Sequence, residues 1–208
     1  MTLTPALVRD YDAQAADRAT TDTATFGLGC FWGPDARFGA VDGVVRTRVG
    51  YAGGTKLDPS YHSLGDHTEV LQVDFDPDAV TYRDLLEAVF RQHDPQTQPA
   101  KPQYQNVVFA STDTRRAAVE TVLSAVGETV ESVETRIEQL SRFYPAEDYH
   151  QKYRLRSKSS FLSVFEEAGY DAEGIRDSPI AAKLNGYVAG HAVDVDTDRP
   201  ASDRHVSE

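Results

Sequence analysis

Apolar positions along the chain recur with two different periods. From Thr68 to Pro77 the period is two. Val70, Gln72 and Asp74 fall on one side of an extended segment, and Leu71, Val73 and Phe75 fall on the other, which predicts a strand. From Val80 to Pro95 the period is helical: Leu85, Leu86, Val89 and Phe90 form one stripe, and Pro95 ends it. The same reading predicts strands in TATFGLG (23–29), VVRTRVGYAGG (44–54), YQNVVFAS (104–111) and VETRIEQL (133–140). It predicts helices in FWGPDARFGAV (31–41), in the segment opened by Ser111 or Thr112, and in SSFLSVFEEAGY (159–170). Pro34 is tolerable only in the first turn of its helix. The Pro/Gln-rich stretch from Pro95 to Pro102 is a loop. Strands interleaved with helices point to a two-layer α/β sandwich with a mixed sheet. The folded domain is expected over residues 23–190. Residues 1–22 form a polar N-terminal extension with a short helical possibility over 5–16, and the acidic stretch 191–208 reads as a disordered tail.

The charge pattern narrows the function. The 208 residues carry 33 acidic and 21 basic side chains, a net charge of −12, which opposes nucleic-acid binding. The excess is 21 Asp over 12 Glu on the acidic side and 16 Arg over 5 Lys on the basic side. An Asp-rich, Lys-poor chain suits a salt-loaded cytoplasm, where screening removes self-repulsion, so halophily is an expectation. No apolar run reaches the length of a membrane span, and the N-terminal residues lack the basic-then-apolar order of a signal peptide. A soluble, cytoplasmic monomer without membrane attachment is expected.

One cysteine, Cys30, stands between Gly29 and the pair Phe31–Trp32. A lone thiol leaves no internal disulfide and no multi-cysteine metal site. Two readings of Cys30 stay open on geometry alone. Free cysteine is often a small buried hydrophobe. At a strand–glycine–helix junction, however, a thiolate is stabilised by the helix N-terminus and becomes a nucleophile. Phe31 and Trp32 would then wall a small apolar pocket. His67 beside Asp66 and His150 beside Asp148 read as solvated or structural histidines, without the partners that a metal site needs.

The chain resembles the A-type peptide methionine-S-sulfoxide reductases. The resemblance is carried in order by GCFWG (29–33), GVVRTRVGYAGG (43–54), PSYHSLGDHTEVLQVDFDP (59–77), LLEAVFRQHDP (85–95), QYQNVVF (103–109), FYPAEDYHQKY (143–153) and KLNGYVAG (183–190). It implies an α/β sandwich of ferredoxin-like character and the reduction of methionine S-sulfoxide, free or in proteins. It assigns Cys30 as the nucleophile that attacks the sulfoxide sulfur, and Glu69 as the acid that lets the oxygen leave as water. Tyr61 and Tyr104 assist through their hydroxyls, and Phe31 and Trp32 receive the S-methyl group. Cys30 is left as a sulfenic acid. An acid at neutral pH needs a raised pKa, hence a partly apolar surrounding. For Tyr144, Asp148 and His150 the resemblance implies placement near the site without a settled role.

Two departures from that family matter. Many relatives carry later cysteines that resolve the sulfenic acid, and these 208 residues have none. No bound cofactor or metal is therefore expected, but an external thiol is: thioredoxin, glutaredoxin or a low-molecular-weight thiol. The aspartate that usually precedes the Gln-Tyr pair is also missing from QTQPAKPQYQ, and Asp94 is not assigned its role. The alternatives are a non-enzymatic redox sensor on the same fold, which would not require Glu69, and a Cys-His hydrolase using His67 or His150, for which no motif is present.

Overall fold

A computed structural model describes residues 2–17 and 19–195. Strand β1 (Asp22–Leu28) is central in its sheet, antiparallel both to β3 (Thr68–Phe75) and to β4 (Asn106–Phe109). Strand β2 (Val44–Ala52) lies outside β3, and β6 (Phe143–Pro145) outside β2, both antiparallel. Strand β5 (Arg136–Glu138) runs parallel to β4, giving the order β5-β4-β1-β3-β2-β6 and a mixed sheet. The eight residues expected as a strand around Arg136 contribute three, and β6 has no counterpart in the sequence reading. Both are short edge strands, a length that limits unpaired backbone at the sheet margins.

The alternation along β3 settles which side chains reach which face. Leu71, Val73 and Phe75 enter the main core with Phe26, Phe38, Val49 and Val108. Val70 points to the smaller cluster on the opposite face, with Ala52, Val107 and Phe109. By the same period of two, Glu69 shares the face of Leu71 at the start of the strand. The main core is roofed by α2 (Trp32–Ala40), α3 (Tyr82–Phe90) and α4 (Asp113–Ala125). Helix α3 opens with a capping box between Thr81 and Asp84 and buries Leu85, Leu86 and Val89, each contributing about 1.5–3 kcal/mol. It stops at Phe90, well before Pro95, and Phe90 is only half-buried.

A second apolar cluster lies beyond α2. It is built from α1 (Pro5–Gln14), α5 (Tyr153–Arg156), α6 (Ser159–Glu167), α7 (Ala172–Asp177) and α8 (Pro179–Val188). Within the stretch expected as a polar extension, α1 carries Val8 and Tyr11 into this cluster. Residues 191–195 have no helix or strand, and the rest of the expected tail lies outside the described residues. Helix α8 crosses α2 so closely that a Cβ at Gly39 would collide with the Ala182 carbonyl, and one at Gly186 with Ala36 and Ala40.

Under this crossing lies a buried polar network. The Asp35 carboxylate accepts from the Thr47 hydroxyl (2.5 Å), the Asn185 amide (3.0 Å), the Lys152 N–H (3.2 Å) and the Lys152 ammonium (3.4 Å). Lys152 takes φ 52° and has no solvent exposure. Its ammonium also donates to the Thr47 carbonyl at 2.5 Å. These bonds tie α2, β2, α5 and α8 into one piece around the first turn of α2.

Candidate active site

The buried central strand β1 ends at Leu28, and Gly29 turns the chain with φ 71°, a backbone region that L side chains rarely adopt. Cys30 emerges exposed, so the buried-hydrophobe reading fails. Phe31 is the N-cap of α2 but offers no side-chain acceptor to the free N–H groups of the first turn. Two side chains use that vacancy. The Phe31 N–H donates to Glu69 Oε2 at 3.2 Å, and the Trp32 N–H donates to the Cys30 sulfur.

The expected depression of the thiol pKa does not occur. Removal from water pushes the Cys30 thiol up, and the Glu69 charge pushes the same way, against the smaller effects of the Trp32 N–H and the Arg154 cation. The balance favours the thiol form of Cys30. Protonating Glu69 removes one of the forces that hold it so, which couples the two groups.

Glu69 is 1% exposed. Burial raises its pKa above the ordinary carboxylate value, opposed by the Gln103 amide, the Phe31 N–H and the Lys101 charge. Gln103 Nε2 donates to Oε1 at 2.6 Å. Both donors on Glu69 are neutral, so neither compels it to ionise as a cation in contact would. Gln103 was not singled out in the sequence. It sits in the 3-10 turn Pro102–Tyr104, after a loop in which Gln98 pairs with both backbone groups of Asn106. The only signal was a glutamine next to Tyr104.

Tyr61 and Tyr104 are half-buried, and their hydroxyls hydrogen-bond each other. The charges of Glu69 and Cys30 both act on Tyr104, so the four polar residues expected in the site lie together. Tyr61 is fixed from behind, its N–H donating to Glu147 Oε1 at 2.9 Å, while Glu147 Oε2 accepts from the Tyr51 hydroxyl at 2.7 Å. Glu147 was likewise unmarked in the sequence.

Phe31 does not stand as an open wall. It is 1% exposed, with its ring among those of Tyr51 and His150, so it backs the site from the core. The half-buried aromatic surface belongs to Trp32, which stacks on Tyr153 at 3.8 Å and 5°. The Trp32 indole N–H donates to His150 Nδ1 at 3.2 Å. That bond places the His150 proton on Nε2, and burial keeps the ring neutral by lowering its pKa. His67 is occupied on both sides, Nδ1 accepting from the Gly54 N–H and Nε2 donating to the Lys56 carbonyl. It takes no part in the Cys30 cluster. Asp148 is exposed, and Tyr144 meets the His67 ring edge-on.

A solvent-facing thiol tied through adjacent backbone N–H groups to a buried carboxyl of raised pKa defines a thiol-based oxidoreductase site. A family model described as peptide methionine sulfoxide reductase matches residues 22–173. The chain belongs to the peptide methionine sulfoxide reductase family. It is 40% identical over 174 residues to the peptide methionine sulfoxide reductase of Drosophila melanogaster, covering 82% of this chain and 70% of that one. It is 45% identical over 144 residues to the peptide methionine sulfoxide reductase MsrA of Methanothermobacter thermautotrophicus, covering 64% and 85%. Among solved structures, methionine sulfoxide reductase A of Corynebacterium diphtheriae superposes with a TM-score of 0.57 at 30% identity, covering 68% of this chain and 77% of that one.

Proposed function

We propose that this protein reduces the S-sulfoxide of methionine to methionine with Cys30 as nucleophile and Glu69 as general acid. The observation that carries the reading is the Glu69 carboxyl: buried, raised in pKa, and bonded to the N–H of the residue after Cys30. Sulfoxide oxygen is a poor leaving group until it is protonated, so an acid that keeps its proton toward neutral pH is what the chemistry needs. The Cys30 sulfur bonds to the sulfoxide sulfur while Glu69 protonates the oxygen and the Tyr61 and Tyr104 hydroxyls hold it. The oxygen leaves as water, and water then cleaves the new sulfur–sulfur bond at Cys30, leaving the hydroxyl on Cys30 and releasing methionine and the protons. The net change is thiol plus sulfoxide to sulfenic acid plus thioether.

The sulfenic acid then condenses with an external thiol, forming a mixed disulfide and water. A second thiol attacks that disulfide, releasing Cys30 and an external disulfide. The sequence has a single cysteine, so both thiols come from outside these 208 residues. Thioredoxin, glutaredoxin or a small thiol would serve, in a compartment that keeps them reduced, such as the cytoplasm.

The test is turnover of separated methionine sulfoxide epimers with a panel of these reductants. Methionine is expected from the S epimer alone and is expected to be lost in Cys30→Ser. Equal turnover of both epimers, or none with any thiol, would overturn the reading. The redox-sensor alternative predicts no methionine under any of these conditions.

A further inference from the structure

The chain carries a net charge of −12, yet two cations flank its reacting groups. Lys101 is exposed, and its ammonium lies 5.0 Å from the centre of the Tyr104 ring. Its charge reaches Glu69. Arg154 is exposed on α5, directly after the Tyr153 that stacks on Trp32, and its charge reaches Cys30. One cation therefore stands on the Tyr104 side of the site and the other on the Trp32 side.

Six arginines of this protein are paired. Arg48, Arg83, Arg91, Arg115, Arg136 and Arg176 each hold a carboxylate. Among the described residues, Lys101 and Arg154 have no such partner. The acids nearest the site do not supply one. Glu147 is engaged by the Tyr51 hydroxyl and the Tyr61 N–H, and the charge of Asp148 acts on Arg156. Glu69 lies buried beneath.

We propose that Lys101 and Arg154 form a cationic rim that favours sulfoxide substrates bearing a carboxylate next to the oxidised side chain. The carboxylate could be a main-chain terminus or a neighbouring Asp or Glu; the charge and reach required are the same. This rests on the reductase reading of the site. Exposed pairs are individually weak and screened by salt, so the preference is modest and salt-dependent.

The experiment compares kcat/KM for four S-sulfoxides at low ionic strength: N-acetylmethionine, its neutral amide, and blocked tripeptides with Asp or Lys beside the oxidised methionine. The anionic members are expected to exceed their neutral or cationic counterparts by roughly three- to tenfold, and the ratio should collapse in molar KCl. Lys101→Met and Arg154→Met should each lower the ratio, and Lys101→Glu should invert it. A merely structural role for these residues would change kcat/KM equally for all four substrates and leave the ratio alone. A preference confined to N-acetylmethionine sulfoxide identifies the main-chain carboxylate as the recognised group, and one confined to the Asp peptide identifies the side chain. Equal kcat/KM across the series with wild-type turnover intact overturns the rim and spares the reductase. Absence of turnover with every sulfoxide overturns both.

Discussion

Two carboxyl groups are buried around the first turn of α2, and they are held in different ways. Asp35 has no solvent exposure and collects four donors, one of them the Lys152 ammonium. Glu69 is as deeply buried but has two donors, both neutral. A buried carboxylate with a paired cation and a full set of hydrogen bonds anchors structure. One left with fewer, uncharged donors retains its proton more readily, which suits a general acid. Burial is common to both, and the number and charge of the donors are what differ between the anchor and the proposed acid.

The largest effect expected from breaking this contrast is at the anchor. Asp35→Ala leaves the Lys152 ammonium buried without a counter-charge and should cost about 3–5 kcal/mol in urea unfolding. A loss under about 1 kcal/mol would mean that the network does not hold α2.

At the acid, the loss should be in rate. Glu69→Gln should slow single-turnover sulfoxide reduction by about 10²–10⁴-fold while the protein remains folded. The same change removes a negative charge that raises the Cys30 pKa. Iodoacetamide should therefore alkylate Cys30 faster in the variant at pH 8, and slower alkylation would point to a damaged site instead.

A smaller effect tests the donors themselves. The Gln103 amide favours the ionised form of Glu69. In Gln103→Leu the Glu69 pKa should rise further, so the acid stays protonated longer and the alkaline limb of the rate profile moves to higher pH. An unmoved limb would remove Glu69 from that titration.

The smallest effect is on stability. Folded Glu69 titrates above its ordinary value of 4.5, so between the two values the folded state binds more protons than the unfolded one. The stability this contributes is complete below 4.5 and is lost as pH rises through the raised value. Glu69→Gln should therefore melt above wild type at pH 8 and lose that advantage in acid, which paired melting curves would show.

Much of this arrangement was legible in the sequence where a segment has one wet and one dry face. Helix α3 announced itself because Leu85, Leu86 and Val89 are buried while Arg83 and Glu87 pair outside. Helix α8 did not, because Pro179 through Gly186 are all buried and no polar face marks its period. Strand β6 and helix α5 are three and four residues long, too short to display a period at all. In the site, Cys30, Glu69, Tyr61 and Tyr104 came from ordered motifs. Gln103 and Glu147 escaped because their roles lie in partners 34 and 86 residues away.

The sequence by itself determined the family, the lone cysteine, the carboxyl proposed as its acid and the main alternation of strands and helices, since these are written in local periodicity and in short ordered motifs. Only the tertiary structure decided which way the acid–base groups of the site shift. It lifted the Cys30 thiol where the helix end alone predicted a lowered one, because burial and the facing Glu69 outweigh the Trp32 N–H and Arg154. It also moved Phe31 from pocket wall to backing and left Lys101 and Arg154 without acidic partners among the described residues. Desolvation and pairing depend on what lies across space from each residue, and adjacency along the chain does not record that.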